Sequence, residues 1–331
     1  MDVAGGVGTD RPGPVAHQWP PLSRRHVLAA ALAASASLLG GCGLRLDLPQ
    51  PPPPAPTRKP APDEALIVSF IQDLRGLRER GQRLRASERH RSDVEDALRV
   101  LAMQDTVLTG RLTNQGVPTT EIGPAPTVTA SGAPSTARPT GGQSLSGFAT
   151  ALVELPAGRW DTLASSSLVN RDVLLSATSA RLASALRLDR SVPVPPAEQG
   201  LHARLVEHTA PLVYGFEIVA AQSVGRARGT ALHTVTQLER LLEELIDGLP
   251  GSALPGGWSL PYPVTTPQAA ARLATDLLTR AIAATTTLAA ARSSARDLAA
   301  VGAWSARVQA LGPPHGIRLA AFPGTSGTGA T

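Results

Sequence analysis

The sequence predicts an all-α protein, and three observations predict it. Apolar residues make up 42% of the chain but aromatic ones only 3%, so alanine and leucine carry the hydrophobic content. Both favour helix. β-Branched and aromatic runs, which favour strands, are scarce. Apolar positions recur at steps of three and four over long stretches, which places them on one helical face.

Residues 1–41 read as a signal peptide. A polar leader, 1–22, gives way to Arg24 and Arg25 and then to the apolar run Val27–Leu39. That run is too short to span a bilayer, which takes about 20 apolar residues. A basic start before a short apolar core is the pattern of a secretory signal. "SRRHVL" (Ser23–Leu28) resembles a twin-arginine export signal, an address read by a receptor. "LGGC" (Leu39–Cys42) resembles the lipobox of bacterial lipoproteins, where the cysteine thiol takes a diacylglyceryl group and the chain is cut just before it. Cys42 is the only cysteine, so a disulfide within the chain is impossible. The resemblance implies lipidation at Cys42 and residence on the extracytoplasmic face of the cell membrane. Membrane lipid is then the first partner and a cell-envelope protein a further one. Two acyl chains, rather than one, give stable anchoring.

Residues 42–63 form the anchor site and a tether. "PQPPPPAPTRKPAP" (Pro49–Pro62) favours extended polyproline II at about 3.1 Å per residue. Residues 64–190 follow as an N-terminal helical region. Leu66, Phe70, Leu74, Leu77 and Leu84 mark one helix, with Arg75, Arg78, Arg80, Arg83 and Arg85 on a face expected to be solvated. From about Ser92 a second helix carries Val94, Leu98, Leu101, Asp105, Leu108 and Leu112 in one stripe. Asp105 is expected half-exposed at the end of that seam, the alternative being a buried partner for an arginine. Residues 116–143, rich in Gly, Pro, Ser and Thr, read as a flexible loop. Helices are expected again over Leu145–Leu155 and Trp160–Leu188, stopped by "VPVPP" (Val192–Pro196).

Residues 197–324 read as four helices. The first spans about Ala197–Ser223, with Leu201, Leu205, His208, Leu212 and Val219 near one stripe and a kink expected at Pro211. "GRARG" (Gly225–Gly229) is expected to be the turn, and the second helix to run from Thr230 to Asp247. The proline-rich connection Gly248–Thr265 is long enough to run back along a helix of about 18 residues, which measures only about 27 Å. That gives two hairpins joined by one crossover, the ferritin-type topology. Thr265 and Gln268 have capping-box spacing at the third helix, which continues to about Ala291. The fourth spans about Ser294–Leu311. "IRLAAFPG" (Ile317–Gly324) is expected to pack along the bundle, and 325–331 to form a disordered tail.

"EHTAPLVYG" (Glu207–Gly215), "LPYPV" (Leu260–Val264) and "AFPG" (Ala321–Gly324), in that order, resemble an actinobacterial ferritin-like domain family of unknown function. The likeness covers about Leu201–Gly324. It implies a ferritin-like four-helix bundle with a long crossover, behind a second helical region, and exported or lipid-anchored family members.

Working di-iron bundles place Glu on two helices and Glu-x-x-His on the other two. This chain contains no Glu-x-x-His. With the turn at Gly225–Gly229, Glu207 lies level with Glu243, Glu244 and Asp247, so carboxylates could meet on the first hairpin. The second hairpin offers only Asp276 and Asp297. Glu207, His208, Tyr214 and Glu243 are therefore candidates for a polar core site. No metal, cofactor or catalytic residue is expected. Neither a G-x-S-x-G elbow nor a P-loop appears. The net charge of +5 comes almost wholly from arginine, Lys59 being the single lysine, and the aromatics that stack nucleic-acid bases are few. Nucleic acid is therefore not an expected partner. The leading expectation is a membrane-anchored envelope lipoprotein with a non-catalytic binding or scaffolding bundle. One alternative is a metal-binding or oxidative protein using Glu207 with Glu243 or Glu244. Another is a carrier of an apolar ligand beside the small Ala281, Ala283, Ala284 and Ala289.

Overall fold

A computed structural model describes residues 58–84, 88–123, 144–247, 257–290, 292 and 294–325. Ten α-helices and one short 3-10 turn are found among the described residues, and no strand. The all-α class expected from composition is therefore the class observed. Arg24, Arg25 and Cys42, the tether as far as residue 57, and 124–143 of the expected loop lie outside the described residues.

The first helix, α1 (Glu64–Gln82), buries Ile67, Phe70, Ile71, Leu74 and Leu77. It packs on α2 (Glu88–Asn114), whose Val94, Leu101, Leu108 and Leu112 are buried in turn. Asp105 is 9% exposed and accepts from Arg75 Nε and Arg78 Nη1, each at 3.0 Å. The sequence favoured a half-exposed Asp105, but two arginines of the supposedly solvated face turn inward and make it a buried partner. Gly81 is needed where α1 meets its neighbours, since a Cβ there would stand 2.8 Å from Leu98 and 2.9 Å from Phe148. A one-turn helix, α3 (Thr119–Ile122), falls inside the stretch read as loop, held by buried Val117 and Ile122.

Ser144 caps α4 (Leu145–Val153) by accepting the Gly147 N–H at 3.0 Å. The single helix expected over Trp160–Leu188 is two, α5 (Arg159–Ser165) and α6 (Leu168–Arg187). At the break Ser166 Oγ donates to the Leu163 carbonyl at 2.7 Å, a local bond that competes with helix continuation.

Helix α6 is the central helix of the described residues. Every residue from Val173 to Ala185 is buried, and α2, α4, α5, α9 and α10 all touch it. Its hydroxyls need no outside partner: Thr178, Ser179 and Ser184 donate to the carbonyls of Leu174, Leu175 and Ala180 one turn back. Two arginines on α6 close the C-terminal ends of neighbouring helices. Arg181, 3% exposed, gives its guanidinium to the carbonyls of Leu152, Ala151 and Glu154 at the end of α4. Arg171 does the same for Ala164 and Ser166 at the end of α5, and also holds the Arg292 carbonyl. Unsatisfied terminal carbonyls and a buried cation neutralise each other's cost.

Helices α7 (Gln199–Gln222) and α8 (Gly225–Ile246) form a hairpin whose turn is Ser223–Val224. "GRARG" is therefore the first turn of α8 rather than the connection. Extended backbone at Ser223 and Val224 followed by Gly225 at φ 56°, in the left-handed region, reverses the chain, and Gly229 lies in the helix. The pairing is antiparallel, since His202 near the start of α7 meets the Leu245 carbonyl near the end of α8. Helix α9 (Pro267–Ala289) is capped by Thr266, whose side chain accepts the Ala269 N–H at 3.2 Å. The cap lies one residue beyond the expected Thr265, because Pro267 occupies the first helical position. Ser294 caps α10 (Ala295–Ala310).

The segment after the 3-10 turn at Pro313–His315 runs back over the helices and is bonded to three of them. Arg99 donates to the Leu319 carbonyl, Gln104 to Ala321, Ser176 to Pro323 and Thr286 to Gly324, at 3.0, 2.8, 2.6 and 3.1 Å. Ile317–Gly324 therefore packs on helices, but three of its four bonds go to α2 and α6, outside the four helices of residues 197–324 on which it was expected to lie. It ties α2 and α6 to α9, so helices on both sides of Val192–Pro196 share one core.

Candidate functional site

The centre of the C-terminal helices is where carboxylates would have to gather for a metal site. Hydroxyls, an indole and an amide occupy it instead. Thr209 on α7 accepts the Trp304 indole N–H at 2.9 Å and donates to the Leu205 carbonyl at 2.6 Å. Thr285 and Ser305 share a hydrogen bond at 2.8 Å, and Gln309 donates to Ser305 at 3.2 Å. Trp304 and Thr209 are fully buried.

The sequence-derived candidates do not converge there. Glu207 and Glu243 are exposed on α7 and α8. Glu244 is bound by Arg307 of α10 and accepts the Val194 N–H at 2.7 Å. His208 is half-buried, its ring 6.1 Å from that of Trp304 in an edge-on contact. Burial, reinforced by Arg204, holds its imidazole below its ordinary pKa although Glu207 pulls the other way. Tyr214 leans on Trp258 of the crossover with ring centres 5.7 Å apart. The carboxylates of the second hairpin are also occupied. Asp276 accepts the Tyr262 hydroxyl at 2.9 Å, and buried Asp297 accepts the Glu198 N–H at 2.9 Å.

The reason is the hairpin register. A turn at Ser223–Val224 comes a few residues before the one read from the glycines. Glu207 and Arg240 are then equidistant from the turn, and the level of Glu243 falls back toward Ala203 and Arg204. No grouping of three or more His, Cys, Asp or Glu side chains suited to a metal ion occurs among the described residues.

The three motifs quoted above have packing roles here. In "EHTAPLVYG", Gly215 admits Leu277 of α9, whose Cδ1 would lie 2.4 Å from an added Cβ. In "LPYPV", Tyr262 fastens the crossover to α9 and Val264 is buried. "AFPG" is the segment bonded to α2, α6 and α9.

One feature escaped the sequence. Arginines from the start of α2, the end of α6, mid-α8 and the end of α10 converge on a cleft. They are dispersed over more than two hundred residues, so no local motif signals them.

The described residues define an all-helical protein with a packed core. No protein-family model, curated protein or solved structure matches the chain.

Proposed function

We propose that this protein is a lipoprotein of the cell envelope, anchored through Cys42 on the extracytoplasmic face, whose helices serve as a non-catalytic binding or scaffolding module. The observation that carries the reading is an order of segments: Arg24-Arg25, a short apolar run, Leu39–Cys42, a proline-rich stretch, and then a compact helical unit starting at Lys59. No described helix is long and apolar enough to cross a membrane, so a lipid on Cys42 is the attachment this reading requires.

A ferritin-type arrangement of α7 to α10 is part of the proposal. Its support is directional. The first turn of α9, with Pro267 and Ala271, lines the same cleft as Ser223 and Val224 of the α7–α8 turn, so the crossover brings the chain back to that end. Helix α10 begins beside the start of α7, where Asp297 meets Glu198. Those directions are the ones two hairpins joined by one crossover produce. The departure is that α10 packs extensively on α6, with α8 chiefly on α7.

Mass spectrometry of the protein extracted from membranes tests the anchor. A chain beginning at Cys42 and carrying diacylglyceryl mass is expected, and Cys42→Ser should leave the membrane fraction. An uncut chain with a free thiol overturns the reading. Elemental analysis tests the non-catalytic part, since stoichiometric iron or manganese would favour a metal-binding role instead.

A further inference from the structure

The cleft on the face formed by α2, α6, α8 and α10 encloses about 630 Å3, within the range of small-molecule sites. Its walls carry five arginines, Arg89, Arg187, Arg190, Arg240 and Arg307, against two aspartates, Asp93 and Asp189. The positive charge is not cancelled internally. Asp93 is taken by Arg187 at 2.8 and 3.0 Å, and Arg307 is taken by Glu244. Asp189 lies 3.6 Å from His90 Nε2. The side chains of Arg89, Arg190 and Arg240 have no ion pair or hydrogen bond among the described residues. The C-terminal ends of α6 and α10 also face the cleft. Their partial negative charge is met by Arg187 and Arg307, each in the last turn of its own helix.

Two further details mark this as a shaped place. Asp189 takes φ 61°, the left-handed region that non-glycine residues seldom adopt. The Arg190 N–H closes onto the Ala185 carbonyl at 3.0 Å, so this conformation ends α6 and sends Arg190 to the cleft wall. Beside Asp189, His90 Nδ1 is buried without a hydrogen-bond partner, an unusual state for a polar atom.

We propose that this cleft binds a phosphate-bearing ligand, held where Arg89, Arg190 and Arg240 converge around one concavity with no acidic partner of their own. Guanidinium groups suit this chemistry: each is planar, always charged, and presents paired N–H donors that match two oxygens of a phosphate. Three unpaired forks facing one space favour a compact, multiply charged group over an extended apolar one. The ligand is either a free phosphate compound or the phosphate of a lipid headgroup. The inference does not rest on the anchor at Cys42.

The test uses the full-length Cys42→Ser chain, so that no acyl group contributes to binding. Titration with inorganic pyrophosphate by calorimetry covers the free source. Co-sedimentation with phosphatidylglycerol vesicles, against phosphatidylcholine vesicles, covers the headgroup source. Saturable binding of one ligand per chain is expected in one arm, weakened at least about tenfold by Arg190→Ala/Arg240→Ala and by raised salt. Arg226→Ala/Arg228→Ala removes the same charge from exposed positions outside the cleft and should leave binding intact. Because all four arginines are exposed, circular dichroism should show both variants folded. Equal weakening by the two double variants, or absence of binding in both arms, overturns the proposal.

Discussion

Replacing Gly324 by alanine should loosen the C-terminal segment that joins the two ends of the fold, and Gly316 supplies the control. Both glycines sit in the left-handed region, at φ 75° and 80°. An L-residue there costs about 1–2 kcal/mol. The two differ in what surrounds them. A Cβ on Gly316 would meet nothing within 4 Å, whereas one on Gly324 would stand 3.0 Å from the Ile282 carbonyl oxygen and 3.4 Å from Thr285 and Thr286. The oxygen belongs to α9 backbone and cannot swing away as a side chain would. Forcing a methyl into such a site costs a further 1–3 kcal/mol or about that. Gly316→Ala should therefore lose about 1–2 kcal/mol and Gly324→Ala about 2–5 kcal/mol. At about 2–4 °C per kcal/mol for a domain of this size, the Tm values should separate by at least about 2 °C. Hydrogen exchange gives the local readout: amides of 317–325 should exchange faster in Gly324→Ala, and the interior of α1 should not. Equal losses in both variants with unchanged exchange in 317–325 would refute the packing of this segment against α9.

Acidification should destabilise the fold before the carboxylates titrate. His208 and His315 are both held below their ordinary pKa by burial, the former also by Arg204. The unfolded chain then binds more protons than the folded one as pH falls through about 6.5, so stability present above that value is lost below it. Urea midpoints at pH 7.5 and 5.5 measure the slope, which His208→Gln/His315→Gln should flatten; an unchanged slope sinks the idea. Arg181→Met should cost about 2–4 kcal/mol in urea unfolding. It strands the buried Ala151 and Leu152 carbonyls at about 1–3 kcal/mol each, offset in part by removing a cation whose burial lowers its pKa to about 10. Arg181→Met as stable as the parent would refute the capping role.

Much of the fold was legible because helices announce themselves by periodicity. The stripes of α1 and α2 and the start of α10 near Ser294 follow from spacing and turn chemistry. The failures are equally physical. Glycines at 225 and 229 suggested a turn between them; Gly225, at φ 56°, does serve the reversal, but Gly229 lies exposed inside α8, where a glycine costs only about 1 kcal/mol, less than the surrounding packing supplies. That shift moved the hairpin register and with it the candidate site, since Glu207 loses its level with Glu243. Helix α6 gave no amphipathic signal because it is buried on all sides. Its Thr178, Ser179 and Ser184 bond their own backbone one turn back.

Thirty arginines beside one lysine look at first like genome composition alone. In the fold, however, the guanidinium forks are used in ways an ammonium could not copy. Arg171 reaches the Arg292 carbonyl with one terminal nitrogen and Ala164 and Ser166 with the other. Arg181 spreads Nε and Nη2 over three carbonyls at the end of α4. Both act as rigid spacers that stop one helix and set its distance from α6, and a point charge on a flexible stem lacks that reach. The same residue type therefore divides by environment. Where helix ends or Asp73, Asp93, Asp105 and Glu244 face it, arginine builds the core and its seams. Where nothing acidic is left over, at Arg89, Arg190 and Arg240, the charge stands open to a ligand. Composition reports the total; only the fold separates the spent charges from the free ones.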